Sequence, residues 1–320
     1  MIICDLHCDT ISKLTQQGGE LISNNTHFDI SRAINAGLRL QFFALFSYPS
    51  DYNSSLREIL KQIYYYNTQI SLWPDLIFPI LKKQDCQNIG ARIQLASILH
   101  LEGADCIGTD MAILDCLYQL GIRSIGLTWN HRNLLADGVG EGKHAAGLSR
   151  VGKEVVIRMA ELGILLDLSH LAEPGFQEAI EYYQGPVLVT HANARALCNH
   201  PRNLNDTQLK MIRDCSGVIG INQVADFVKA DGQPTFDDVL NHIVYIAEKI
   251  GLEYVALGSD FDGADNLVLP GIETYDQWEN ALLARNFTSN EIDMILGQNA
   301  LRVINRDFCI IQKNAFKKGS

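Results

Sequence analysis

Long hydrophobic runs are missing from this chain of 320 residues. A membrane-spanning helix needs about 18 or more consecutive apolar residues, and the longest apolar stretch, residues 40–46, is interrupted by Gln41. Basic charge is scarce as well: 26 Lys and Arg stand against 37 Asp and Glu, a formal net charge of −11. The basic pairs Lys82-Lys83 and Lys317-Lys318 lie far apart, so the chain lacks the basic stripe that displaces counterions from a polyanion. Nucleic acid and membrane are therefore not expected as partners. The opening Met1-Ile2-Ile3-Cys4-Asp5 has no basic segment followed by an apolar run, and the ending Phe316-Lys317-Lys318-Gly319-Ser320 carries no lipid-anchor signal. Eight cysteines, at 4, 8, 86, 106, 116, 198, 215 and 309, include no Cys-x-x-Cys pair. That argues against a thiolate zinc site, and with no leader the cysteines read as reduced thiols of a cytoplasmic protein.

Pro/Gly/Ser-rich linkers, low-complexity tracts and short repeats are also lacking, which predicts one domain over 1–320. With 47% hydrophobic and 20% charged residues the chain can bury a full core. Short apolar runs at 2–8, 38–46, 96–101, 124–128, 164–168, 187–189, 218–221 and 254–257 predict eight strands. Helical periods lie between them. In residues 236–250, Val239, Leu240, Ile243, Ile246, Ala247 and Ile250 share one face and Gly251 follows as a stop; Thr288 and Glu291 form a capping box. Eight strands alternating with helices predict an α/β fold, a (β/α)8 TIM barrel. The alternative, an open doubly wound sheet, would normally offer a Gly-x-Gly-x-x-Gly turn after the first strand, where this chain has His7-Cys8-Asp9-Thr10.

Barrel chemistry sits at the C-terminal ends of the strands, and here those ends are polar. They deliver His7 and Asp9, Glu102, Trp129-Asn130-His131, Asp167-Leu168-Ser169-His170, His191, and Asp260-Phe261-Asp262-Gly263. His7 and Asp9 are two apart, so on a regular strand both point to one side and can reach one metal ion while Cys8 points away. A carboxylate with two oxygens, Glu102, suits the bridge to a second ion, and His170 and His191 complete that second ion's ligands. Three imidazoles and two anions balance two divalent cations and a hydroxide.

The ordinary readings are a solvated turn for His-x-Asp and a tight turn for Asp-Phe-Asp-Gly. They do not explain ionisable groups after six of eight strands, while His27, His100, His144, His200 and His242 fall elsewhere. His100, two residues before Glu102, competes as a ligand but should lie deeper in the barrel. Serine-nucleophile chemistry is disfavoured: there is no Gly-x-Ser-x-Gly elbow, and Ser169 and His170 are adjacent, hence on opposite faces.

The ordered segments Asp5-Leu6-His7-Cys8-Asp9-Thr10, Gln41-Phe42-Phe43-Ala44, His100-Leu101-Glu102-Gly103, Leu127-Thr128-Trp129-Asn130, Ala136-Asp137-Gly138, Gly147-Leu148-Ser149, Asp167-Leu168-Ser169-His170, Thr190-His191-Ala192-Asn193, Arg202-Asn203 and Gly258-Ser259-Asp260-Phe261-Asp262-Gly263 span nearly the whole chain. In them the chain resembles the renal (membrane) dipeptidase family of zinc metallopeptidases, and its ends resemble the soluble microbial members. The resemblance implies two zinc ions, one on His7 and Asp9, the other on His170 and His191, with Glu102 bridging. It implies that His131 contacts the substrate and polarises its carbonyl, that Arg202 holds the substrate carboxylate, and that Asp260 exchanges protons with the bridging water and the leaving amine. Asp260, His131 and Glu102 are then the catalytic set; His131, Arg202 and Asp9 are the substrate contacts.

The expected reaction is hydrolysis of dipeptides by a metal-bridging hydroxide, including those with a D residue at the C-terminus; manganese or cobalt could replace zinc. A homodimer is what the resemblance suggests. The alternatives are another binuclear metal-dependent amidohydrolase, or a catalytically silent metal- or peptide-binding barrel. A metal-free barrel isomerase would instead bring a phosphate-binding glycine loop; here Gly258 and Gly263 flank acidic residues, which would repel phosphate.

Overall fold

The computed structural model describes residues 1–91 and 93–307. Nine strands form in chain order: β1 (Ile3–Cys8), β2 (Leu38–Phe46), β3 (Ile77–Pro79), β4 (Leu95–Glu102), β5 (Ile122–Gly126), β6 (Leu165–Asp167), β7 (Leu188–Ala192), β8 (Val218–Ile221) and β9 (Val255–Leu257). All pair in parallel in the order β2-β1-β9-β8-β7-β6-β5-β4, and β2 closes the ring against β4, from Leu40 beside Ala96 to Phe46 beside Glu102. Eight strands with helices between them make the expected (β/α)8 barrel.

β3 is the strand the periodicity does not announce. It has three residues, ends in Pro79, and pairs only with Leu95–Ser97 at the start of β4. β5 meets β4 only from Leu99 onward, so β3 covers an edge that would otherwise stay unpaired. Cys309, one of the eight cysteines, lies outside the described residues. Cys4, Cys8, Cys106, Cys116, Cys198 and Cys215 are unpaired thiols, as expected. No helix of the described residues is long and apolar enough to cross a membrane.

The helices follow from local chemistry. In Phe236–Ile250 the Thr235 hydroxyl accepts from the Asp238 N–H while the Asp238 carboxylate accepts from the Thr235 N–H, closing the capping box. The helix buries Val239, Leu240, Ile243, Ile246 and Ile250 against the barrel and stops at Gly251, whose φ of 115° suits glycine. Each such side chain contributes roughly 1.5–3 kcal/mol by leaving water.

Inside the barrel, Cys4, Leu6, Leu40, Phe42, Ala96, Ile98, Leu165, Leu188, Val218 and Ala256 fill the lower part, closed by Ala300, Val303 and Ile304. This apolar plug leaves only the C-terminal end of the strands open to polar groups. His100 lies in the layer between plug and opening, fully buried, with Nδ1 2.9 Å from the Ser124 hydroxyl and Nε2 3.4 Å from Asp167.

Candidate metal centre and active site

Two strands depart from regular pairing where they carry histidines. Between Asp5 and Cys8, β1 takes three steps against the two steps of β2 between Gln41 and Phe43. β7 likewise takes three steps from Val189 to Ala192 against two in β8, from Ile219 to Ile221. Such one-residue bulges re-aim side chains. Leu6 belongs to the interior plug, yet its neighbour His7 also faces inward, toward Glu102 and His191. Strict alternation is thus not how His7 and Asp9 meet. Asp9 leaves the strand as the residue preceding the helix Thr10–Gln17, and its Oδ2 comes to 3.2 Å from His7 Nε2.

Glu102, the last residue of β4, points its oxygens to different partners. Oε2 lies 3.4 Å from His7 Nε2, while Oε1 lies 2.8 Å from His170 Nε2 and 3.7 Å from His191 Nε2. The ligand atoms gather into His7, Asp9 and Glu102 on one side and Glu102, His170 and His191 on the other, all buried and each set within 4.8 Å. A third set, His7, His191 and Asp260, shares this centre, which places Asp260 nearer to being a ligand than a proton carrier alone requires.

Metal ions fit this geometry. His7 Nε2 is buried and has no hydrogen-bond partner, although two carboxylates lie close. Nε2 of His170 and Nε2 of His191 face each other at 2.9 Å. Their other ring nitrogens are engaged: Nδ1 of His170 with the Asn130 amide oxygen at 2.9 Å, and Nδ1 of His191 with the Thr190 hydroxyl at 2.9 Å. Lone pairs and carboxylates converging without protons to share are what divalent cations satisfy.

The protonation pattern of the metal-free cluster shows the same need for positive charge. Burial, then the Glu102 and Asp260 charges, push the Asp9 carboxyl up to about 8. Asp260 is also raised, by burial and Glu102. Burial pulls His7 down, but Glu102 and Asp9 carry it well above its ordinary value. Glu102 is opposed by burial yet held well below its ordinary value by His7 and His170. Burial and the Arg202 cation lower His170 to about 4; burial, His7 and Arg202 take His191 well below its usual range. Neutral His170 and His191, and a His7 that holds its charge among crowded carboxylates, are a cluster that divalent cations would relieve.

The centre opens into a cavity of about 390 Å³ walled by Asp9, Glu102, His170, His191 and Asp260, with Phe46, Trp129, Asn130, Phe227 and Arg202. This lies at the small end of small-molecule sites. Arg202 is buried; one terminal nitrogen donates to the Ser169 carbonyl, the other to that of His191 at 3.1 Å, and its Nε has no hydrogen-bond partner. Asp260 has a φ of 64°, tolerated by Asp more than by most residues, and Asn222 Nδ2 donates to its Oδ2 at 2.9 Å.

His131 does not join the group. It is exposed, packs its ring 5.3 Å from that of Trp129, and is absent from the cavity wall. The loop after β5 turns Trp129 and Asn130 inward instead. Asn130 and Asp167 stand among the polar strand-end residues of the sequence, whereas Thr190 and Asn222, which also hold the histidines and Asp260, carry no charge that singles them out; their one sequence signal is position directly beside a strand-end residue.

A sequence profile of the membrane dipeptidase family, peptidase family M19, matches residues 1–313. The chain belongs to that family. Its members are metallopeptidases, and the resemblance seen in the ordered motifs is the family relationship itself. The crystal structure of a dipeptidase described as a metallo peptidase of family M19 superposes with a TM-score of 0.90 and 25% identity, covering 96% of this chain and 99% of that one. A metallo peptidase from Rhodobacter sphaeroides, liganded with a phosphinate mimic of the dipeptide L-Ala-D-Ala, gives the same values: TM-score 0.90, 25% identity, 96% of this chain and 99% of that one. The dipeptidase tcpJ of Claviceps purpurea is 29% identical over 258 residues, 79% of this chain and 60% of that protein's length.

Proposed function

We propose that this chain, as one domain, is a zinc-dependent dipeptidase, hydrolysing the peptide bond of free dipeptides, including those with a D residue at the C-terminus. The observation that carries the reading is the division of Glu102, one oxygen toward His7 and the other toward His170 and His191, beside a buried arginine in the same small cavity. The dipeptide mimic on the Rhodobacter relative supports the substrate class and the D configuration.

His7 and Asp9 would hold one ion, His170 and His191 the other, and Glu102 both. When bound, two divalent ions supply a Lewis acid and lower the pKa of water toward neutrality. Asp260, oriented by Asn222, takes a proton from the attacking water and delivers it to the departing amine. Arg202, tethered to the carbonyls of Ser169 and His191, offers Nε to the substrate's free carboxylate. A longer peptide or an amide would set a neutral group against that cation and leave it unpaired. The polarising role is not given to His131, which stands outside the cavity. Unpaired thiols support a reducing compartment, the cytoplasm.

Elemental analysis combined with turnover of L,L and L,D dipeptides, their C-terminal amides and tripeptides tests this. About two zinc ions per chain and turnover of the free acids alone are expected, with Arg202→Met raising KM for the acids. Equal turnover of the amides would remove the clamp and point to a broader amidohydrolase; zinc without turnover would point to a binding protein.

A further inference from the structure

We propose that Thr190 is a positioning residue shared by the two halves of the metal centre, its single hydroxyl presetting one histidine of each for metal. Nothing in the ligand set requires such a link, and the inference rests on the two-ion reading above.

The polarity follows from counting hydrogens. Asp167 is buried at the end of β6; its Oδ1 accepts from the N–H of Thr190 at 2.8 Å, the N–H of Ser169 at 3.2 Å and the Ser169 hydroxyl at 2.7 Å. Its Oδ2 accepts from the Thr190 hydroxyl at 2.8 Å. That contact uses the one proton of Oγ1, so the oxygen is left to accept. The Ser169 hydroxyl also lies 3.0 Å from it, but its proton goes to Asp167 Oδ1; the remaining partners are two ring nitrogens, Nδ1 of His191 at 2.9 Å and Nδ1 of His7 at 3.3 Å. Both rings must therefore carry a proton on Nδ1, which leaves Nε2 of each as the nitrogen that can bind metal. Nε2 of His7 faces Asp9 and Glu102, whereas Nε2 of His191 faces His170 and the other Glu102 oxygen. His170 is set separately, by Asn130.

The bulge in β7 allows this. Without the extra residue between Val189 and Ala192, Thr190 and His191 would alternate across the strand rather than both reach inward. The backbone at Thr190 is also pinned: a Cβ at Gly220 or at Gly258 would overlap its carbonyl oxygen. Outer partners of this kind typically change metal affinity 10- to 100-fold.

Two measurements test the inference. In metal-free protein labelled with 15N-histidine, NMR should show a proton on Nδ1 of both His7 and His191; finding Nδ1 of either ring bare overturns it, with no variant needed. Zn2+ titration against a chromogenic chelator should give two ions for the native protein, about 10- to 100-fold weaker affinity for both in Thr190→Val, recovery in Thr190→Ser, and a metal-free variant that still melts cooperatively, at a lower temperature because Asp167 loses a donor. Weakening of at most one ion, or failure of Ser to rescue, overturns the shared role while leaving the two-ion reading intact. A native protein that binds fewer than two ions instead removes that reading and this inference with it.

Discussion

The amide oxygen of Asn130 lies 2.9 Å from Nδ1 of His170, so the residue next to the exposed His131 is the one that turns a candidate ligand toward the centre. An amide oxygen only accepts, which places the proton of His170 on Nδ1 and leaves Nε2 bare for Glu102 and His191. Asn130→Ala is expected to weaken zinc at the His170 half about 10- to 100-fold and to lower turnover with it. His131→Ala is expected to change kcat/KM by less than about threefold, since it removes a ring that touches Trp129 and not the cavity. Steady-state kinetics on one dipeptide, with metal content measured in parallel, separates the two; a large loss for His131→Ala would restore it to the catalytic set.

Asp260→Asn keeps the shape of a residue held at φ 64°, because Asn also tolerates left-handed backbone, but it cannot take up a proton. The expected result is kcat lower by about 10³ with KM and stability little changed. Retention of more than a tenth of native kcat would argue against the proton-exchange role.

Removing metal should make stability depend on pH in a particular direction. Asp9, Asp260 and His7 all have folded-state values above their ordinary ones. Each therefore contributes stability that is complete below its ordinary value and is lost as pH rises through the folded one. For Asp9 that window runs from 3.8 to about 8. His170 and His191, both lowered, act in the opposite direction below their ordinary 6.5, so the melting temperature of chelator-treated protein is expected to fall from pH 6.5 to pH 8, and saturating zinc, which prefers deprotonated ligands, is expected to raise it and abolish the fall. A flat metal-free profile would contradict the crowding of carboxylates described above.

Gly258→Ala places a methyl group against the Thr190 carbonyl and beside Gly220 in a closed wall of backbone. Overpacking of this kind costs about 1–3 kcal/mol or more, so the denaturant midpoint should drop clearly. Ala at Gly142, whose Cβ would meet nothing within 4 Å, should cost less, the strain of its left-handed φ being the only penalty.

Much of this protein was legible along the chain, and what was not has a physical reason. The barrel and the set His7, Asp9, Glu102, His170, His191 and Asp260 could be read from sequence because each depends on local pattern: an apolar run long enough for a buried strand, then a polar group where that strand ends. Tertiary structure decided the rest. The bulges in β1 and β7 exist only relative to their neighbours β2 and β8, so a rule of alternation applied to one strand cannot see them. Which residue after β5 turns inward, Asn130 or His131, is set by His170 some 40 residues later. The link to Thr190 reaches from His7 across 183 residues of chain, a contact that only the closed barrel brings about.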